Sequence, residues 1–175
     1  MPTIIVEDGT GVANANSYVD TTYLTTYASN RGLVYPQNQV TQEKMLIKAT
    51  DYLEALRVKF KGTKSVDTQE LQWPRKDVYI DGIEFAKNNI PEELKKAQCQ
   101  LIVEQEAGVA LYPAPRTSST EGIVTEKTIG PMTKKFAPMN LALANANEPV
   151  KIMSVWALLK PLFNCQNMKT STIRI

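Results

Sequence analysis

The segment IPEELKKAQCQLIVEQEAGVALY, residues 90–112, predicts the third helix of the fold. Pro91 suits the first helical turn, and the two glutamates that follow it complement the positive end of the helix dipole. A helix with two apolar faces is buried on two sides, so we expect the second face to pack against the same core or against a neighbouring subunit. The two stripes are Leu94, Ala97, Leu101 and Gly108, and Cys99, Val103, Ala107 and Ala110.

Three further helices are predicted, two before this one and one after it. Asp20 is a suitable N-cap for the first, Thr41 can cap the second, and Pro161 disturbs the last turn of the third. Apolar residues recur every three or four positions in the longer two, which gives each a single core-facing stripe. The predicted helices cover residues 21–29, 41–61 and 150–163.

The remaining patterns predict short strands and turns. Residues 3–6 are a β-branched run, and the glycine-rich turn after them lacks the third glycine of a dinucleotide fingerprint, because Asn14 stands there. Residues 78–83 contain an Asp-Gly hairpin turn, and residues 122–136 predict a longer hairpin arm. The sequence therefore indicates a mainly α (α+β) fold, a compact bundle of about four helices with short β-hairpins. We expect one domain over residues 1–163 and an extended C-terminal docking tail over residues 164–175.

Composition argues against most catalytic chemistry. The chain of 175 residues has no histidine and two cysteines, Cys99 and Cys165, which excludes His-dependent triads and a Cys₄ metal site within one chain. Paired acids are explained by turns, a helix start and a solvated helix face, and no nucleotide-binding or metalloprotease motif is present. We expect a protein that is not an enzyme, with no cofactor and no metal. No membrane span and no export signal are expected either.

Charge is distributed unevenly although the net charge is only +2. Residues 1–30 carry three acidic side chains, Glu7, Asp8 and Asp20, and no basic one, whereas residues 151–175 carry basic side chains without an acidic one. A second basic cluster contains Arg57, Lys59, Lys61 and Lys64. Such a chain can associate head to tail or bridge two partners, and scatter over solvated faces is the alternative.

The second basic cluster also permits a nucleic-acid interpretation. Its lysines could follow phosphates, and Trp73, Tyr79 or Tyr35 could stack on bases. Binding of this kind should weaken with salt and on substitution of Lys59, Lys61 or Trp73. Against it, basic and aromatic residues do not interleave along one predicted strand.

Five stretches of the sequence resemble a family of small proteins from tailed phages and prophages. The most specific is VEDGTGVANANSYV, residues 6–19, and the others follow in the same order: LQWPR (71–75), the Ile90-Pro91 helix start, EKTIGP (126–131) and LLKPL (158–162). Members of this family are labelled DnaT-like single-stranded-DNA-binding proteins, and the family overlaps the head–tail connector, or adaptor, proteins.

The resemblance to connector proteins implies a structural virion subunit. It would form a homo-oligomeric ring, usually of twelve copies, between the portal protein and tail or further connector proteins, and packaged double-stranded DNA would pass through it. The protein would then reside in the virion, and in the host cytoplasm during assembly, without a membrane partner. The alternative is a DnaT-like single-stranded-DNA-binding module. Lys59, Lys61 and Lys64 are the candidates for facing DNA or phosphate. The predicted interface residues are Ala97, Val103, Ala107, Ala110, Ile123, Ile129, Met132, Phe136, Ile173, Arg174 and Ile175.

Overall fold

The computed structural model of the chain describes residues 2–112, 126–129, 132–135 and 149–164. Within these ranges the α-helices are α1 (Thr21–Ser29), α2 (Gln39–Ala55), α3 (Glu92–Glu106) and α4 (Met153–Leu159). Short 3₁₀ helices, Arg57–Lys59 and Lys160–Leu162, follow α2 and α4. The predicted mainly α (α+β) class with about four helices is confirmed.

The strands form three separate two-stranded antiparallel sheets in the described part of the chain. They pair β1 (Thr63–Lys64) with β2 (Arg75–Lys76), β3 (Tyr79–Ile80) with β4 (Ile83–Glu84), and β5 (Glu126–Ile129) with β6 (Met132–Lys135). The Asp-Gly turn between β3 and β4 is confirmed, since Asp81 and Gly82 both have positive φ, at 51° and 82°. This is the combination that a two-residue hairpin turn of type I′ requires.

Helix α3 is the centre of the bundle and packs against α1, α2 and α4. Its buried side chains include Leu94, Ala97, Cys99, Leu101 and Ile102. Its second predicted stripe is buried in the same core at Cys99, half-buried at Val103, and exposed at Ala107 and Ala110. Ala97 is fully buried within the chain and is therefore not accessible to a neighbouring subunit, which corrects its assignment as an interface residue.

The predicted end of α3 near Tyr112 is wrong by six residues. Gly108 adopts a φ of +88°, and the Val109 amide donates to the Glu104 carbonyl at 2.9 Å, which closes the helix at Glu106. A left-handed glycine with such a bond is a common helix C-terminus. Of the other predicted interface residues, Ala107 and Ala110 consequently lie exposed beyond the helix, and Val103 on the helix is half-buried.

The remaining helix ends show which capping signals were correct. Asp20 caps α1 as predicted, because its carboxylate accepts a hydrogen bond from the Tyr23 amide at 2.7 Å. Helix α2 is capped by Asn38 and not by Thr41, since the Asn38 side chain accepts from the Thr41 amide at 3.2 Å. It also ends at Ala55, because the chain tightens into a 3₁₀ turn there. Pro161 lies in the 3₁₀ turn Lys160–Leu162 directly after α4, which agrees with the predicted disturbance of the last helical turn.

The N-terminal segment forms a turn and not a strand. Residues 3–6 make one isolated bridge, between Val6 and Ser17, so the predicted strand is wrong. The buried Glu7 carboxylate accepts hydrogen bonds from the amides of Gly9, Gly11 and Val12 at 2.8–2.9 Å. A side chain on Gly9 would lie 2.2 Å from the Asn88 carbonyl oxygen. These glycines therefore serve a tight turn, in agreement with the interpretation that rejected a dinucleotide site.

Several predictions fall partly or wholly outside the described residues. The strands β5 and β6 confirm the paired part of the hairpin arm, with Ile129 opposite Met132 in the register. Ile123, Phe136 and the tail residues Ile173, Arg174 and Ile175 lie outside the described part, as does Cys165. The boundary between domain and tail stays a prediction. Among the described residues no helix is long and apolar enough to cross a bilayer.

Candidate nucleic-acid interface

The two basic segments, which are about a hundred residues apart in sequence, meet on one side of the structure. Phe60 pairs with Phe163 in an antiparallel bridge. On either side of it the Lys61 amide donates to the Leu162 carbonyl at 2.9 Å, and the Asn164 amide donates to the Lys59 carbonyl at 2.7 Å. The segment after α2 therefore runs beside the segment after α4. The fold thus joins the basic cluster that begins at Arg57 to the basic C-terminal region at residues 162–164.

The ammonium groups of two lysines lie close to the ring of Trp156, on α4, at this junction. The Lys151 ammonium nitrogen is 4.7 Å from the centre of an indole ring face and the Lys59 nitrogen is 5.4 Å from it. Trp156 is half-buried, its Nε1 donates to the Tyr52 hydroxyl at 3.3 Å, and its ring packs against Phe163 at 5.3 Å between centroids. One edge of the indole is thereby anchored in the core. We call Trp156, Lys59 and Lys151 the Trp156 surface.

The other two lysines proposed to face DNA are held by backbone carbonyls. The Lys61 ammonium donates to the carbonyls of Tyr79 and Pro161 at 3.0 and 2.8 Å, and the Lys64 ammonium donates to that of Gln69 at 3.0 Å. Among these three lysines, Lys59 is the one whose ammonium lies against an aromatic ring. That Lys61 and Lys64 face phosphate stays a prediction; in this structure their ammonium groups hold loops in place.

Trp73, the first candidate for stacking on a base, is part of the core. It is fully buried and packs edge-to-face against Phe60 and Phe85, with ring centroids 5.9 and 6.1 Å apart. The prediction that Trp73 stacks on DNA is wrong, and the alternative that it fills a core gap is confirmed. Of the other candidates, Tyr79 is 54% exposed, whereas Tyr35 is half-buried in the loop between α1 and α2.

A buried polar network fixes the loop between residues 62 and 75, beside the Trp156 surface. The Glu54 carboxylate accepts hydrogen bonds from the Tyr18 hydroxyl and from the Gln72 amide. The Arg75 guanidinium donates to the carbonyls of Lys61 and Gly62 at 2.7 and 2.6 Å. Burial raises the pKa of both Glu54 and Tyr18, and the pKa of Arg75 is lowered by its own burial. These groups bond to each other and to the backbone, so the network positions the segment that carries Lys59 and Lys61.

Nucleophile and metal chemistry find little support in the described ranges. The Cys99 thiol is buried, which raises its pKa to about 12 and keeps it protonated near neutral pH. Within the described ranges no three Cys, Asp or Glu side chains gather where they could hold a metal ion.

Sequence analysis overlooked two members of the Trp156 surface. Lys151 was counted in the basic C-terminal region and Trp156 on the apolar face of the last helix, but neither was linked to Lys59. The Lys-to-Trp spacing of five residues was visible in the sequence. The approach of Lys59 was not, because it depends on the antiparallel bridge between Phe60 and Phe163.

A comparison with protein families assigns the chain. A family described as "Putative DnaT-like ssDNA binding protein" matches residues 2–175. The chain has no significant match among curated proteins or among solved structures. The predicted role as a head–tail connector is therefore wrong, since the matching family is described by single-stranded-DNA binding, which was the alternative. The match covers almost the whole sequence, and the chain belongs to this DnaT-like ssDNA-binding family.

Proposed function

We propose that the protein binds single-stranded DNA through the Trp156 surface, in a binding role without catalysis. The observation that carries the proposal is the indole of Trp156, anchored at one edge and accompanied by ammonium groups at 4.7 and 5.4 Å. Proteins that bind single strands without sequence preference combine an aromatic platform for bases with cations for the backbone. The family description supports the same class of ligand.

Magnitudes favour a base over the lysines as the occupant of the indole face. An exposed cation–π contact is worth about 0.5–1 kcal/mol, whereas stacking of a base on an aromatic side chain is worth about 1–3 kcal/mol. The ammonium groups of Lys59 and Lys151 sit on flexible stems, so they can turn from the ring to the phosphates on either side of the stacked base. The free protein thus keeps its cations close to the place where the phosphates arrive.

The same geometry favours single strands over duplex. Bases inside a duplex are stacked on each other and cannot reach an indole without being unpaired, which costs a few kcal/mol. A duplex would therefore interact with the lysines alone. Stacking uses a face that every base has, so we expect little preference among base sequences.

The test is the salt dependence of binding to labelled oligo(dT), followed by fluorescence anisotropy. Wild type is compared with Lys59→Gln/Lys151→Gln between about 50 and about 200 mM salt. Each lost phosphate contact lowers the slope of log K against log salt by about 0.7 for single strands, so the double variant should lose about 1.4. The same strand annealed to its complement should bind wild type more weakly.

A matched control removes two positive charges elsewhere. Lys44 and Lys48 are exposed on α2, which contributes no residue to the Trp156 surface. Lys44→Gln/Lys48→Gln should keep the wild-type slope and affinity. Equal slopes for the two double variants, or no binding of oligo(dT) by wild type, would overturn the proposal.

A further inference from the structure

The geometry points to Tyr79 as a second base-stacking position on the same strand of DNA. This inference rests on the function proposed above and extends its site from α4 to the hairpin β3–β4. Tyr79 begins β3 and is 54% exposed. It is therefore a large aromatic side chain in solvent, next to a surface that already has an aromatic platform.

Lys61 fixes the hairpin relative to the Trp156 surface. Its ammonium donates to the Tyr79 carbonyl at 3.0 Å and also to the carbonyl of Pro161 at 2.8 Å. Pro161 is five residues after Trp156, in the 3₁₀ turn that continues α4. One side chain thus joins the backbone of the strand that carries Tyr79 to the segment that carries Trp156. Lys61 is a positioning residue in this arrangement.

Lys59 and Lys61 each connect to a different aromatic position, although only one residue separates them in the sequence. Between Lys59 and Lys61 lies Phe60, which is extended, with φ −71° and ψ 145°, and buried. Lys59 ends the 3₁₀ helix and Lys61 follows directly after Phe60, so the two lysines start from neighbouring points of the backbone while Phe60 turns into the core. Lys59 reaches the ring of Trp156, and Lys61 reaches the backbone of Tyr79. Both aromatic positions therefore lie next to one short stretch of backbone, which a single extended strand of DNA can follow.

The charges near Tyr79 make the second position the weaker one. Glu84 is the cross-strand partner of Tyr79, and Asp81 lies in the adjoining turn. Both are exposed, so each repels phosphate through solvent. A base can stack on Tyr79 against this repulsion. Removal of the Glu84 charge should therefore strengthen DNA binding, whereas it should not do so if the hairpin has only a structural role.

The experiment measures affinity against oligo(dT) length for wild type, Tyr79→Ala and Tyr79→Phe. The stacking range of about 1–3 kcal/mol per base corresponds to roughly 5–150-fold, and the nearby acids place Tyr79 at the lower end. We expect Tyr79→Ala to lose roughly five- to tenfold on long oligonucleotides and nothing on the shortest ones that bind, which occupy the Trp156 surface. Tyr79→Phe keeps the ring face and should bind as wild type does at every length.

A second pair of variants tests the charge argument. Glu84→Gln should bind long oligonucleotides roughly twofold more tightly, in line with the small energies of exposed charge pairs. Glu93→Gln, which removes the same charge from the first turn of α3, should have no effect, because α3 contributes no residue to the site. Thermal melts of all four variants show whether an affinity change reflects unfolding.

The outcomes separate this inference from the proposed function. If Tyr79→Ala binds every length as wild type does while Lys59→Gln/Lys151→Gln is weakened, the second position is overturned and the Trp156 surface stands. If Tyr79→Ala weakens long and short oligonucleotides equally, the ordering of the two positions is overturned. If neither the lysine variant nor Tyr79→Ala changes binding, both ideas fall.

Discussion

The chain has two tryptophans, and the fold uses them in opposite ways. Trp73 is fully buried between Phe60 and Phe85, whereas Trp156 is half-buried with lysines 4.7 and 5.4 Å from its ring. Both lie next to the same basic segment, because Trp73 packs against Phe60 and Trp156 lies beside the ammonium group of Lys59. The comparison teaches that a tryptophan near basic residues becomes a candidate ligand site only when its surroundings leave part of the ring in solvent.

The local structures explain the difference. Trp73 follows a loop that is fixed from two sides, by Glu54 at the Gln72 amide and by Arg75 at the carbonyls of residues 61 and 62. Trp156 lies on α4, which has seven residues and turns Val155 and Leu159 into the core. Successive residues of a helix point about 100° apart, so the neighbour of buried Val155 is placed at the margin of that packing.

The largest expected effect separates the tryptophans by stability. Trp73→Ala empties a fully buried site and should lower the free energy of unfolding by about 3–5 kcal/mol, measured by denaturant titration. Trp156→Ala should cost clearly less, because that side chain is partly in solvent already. Equal losses from the two substitutions would remove the basis of the comparison.

The next effect separates them by DNA affinity. Trp156→Ala should weaken oligo(dT) binding by about 1–3 kcal/mol, or roughly 5–150-fold, because it removes the stacking platform. The salt slope should stay at the wild-type value, since no charge is lost. Anisotropy titrations at several salt concentrations measure both quantities. An unchanged affinity would contradict the assignment of Trp156.

Much of the bundle could be predicted from the sequence because its signals are local. The Asp20 cap, the Asp-Gly hairpin turn and the apolar periods of the helices each depend on residues a few positions apart, and the structure confirms them. The end of α3 was harder, because apolar residues continue to Tyr112 while Gly108 alone turns the chain.

The candidate site could be predicted only in part. Lys59 and the basic C-terminal region were identified, but their meeting depends on the bridge between Phe60 and Phe163, which no local pattern encodes. The same long-range packing decides that Trp73 is buried and that Lys61 bonds to carbonyls. The inference of a subunit interface failed at Ala97 for a related reason, because α1, α2 and α4 cover several sides of α3.

The smallest expected effect is a pH dependence of the free energy of unfolding. It arises from Glu54, which holds the loop before Trp73. Burial raises the pKa of Glu54 above its ordinary value of 4.5, opposed by hydrogen bonds from Tyr18 and Gln72 and by the charges of Lys64 and Arg75. The folded state therefore binds this proton more tightly than the unfolded state does. The contribution of Glu54 to the free energy of unfolding should fall as pH rises from about 4.5 through the raised pKa.

Glu54→Gln tests this because it removes the titrating group and keeps an oxygen that can accept a hydrogen bond. Denaturant titrations over the same pH range should show the wild-type curve falling relative to that of the variant. Affinity for oligo(dT), measured under folded conditions, should not follow this difference, since Glu54 is no part of the Trp156 surface. Parallel stability curves would mean that the buried carboxyl has no raised pKa.

The most direct test of the account is tryptophan fluorescence during titration with unlabelled oligo(dT), because stacking on a base quenches indole emission. In wild type we predict quenching that follows binding. In Trp156→Phe the remaining emission comes from buried Trp73 and should stay constant, even while a labelled strand shows residual binding. Quenching of the same size in Trp156→Phe, or wild-type binding without any quenching, would contradict the claim that Trp156 is the platform on which the DNA stacks.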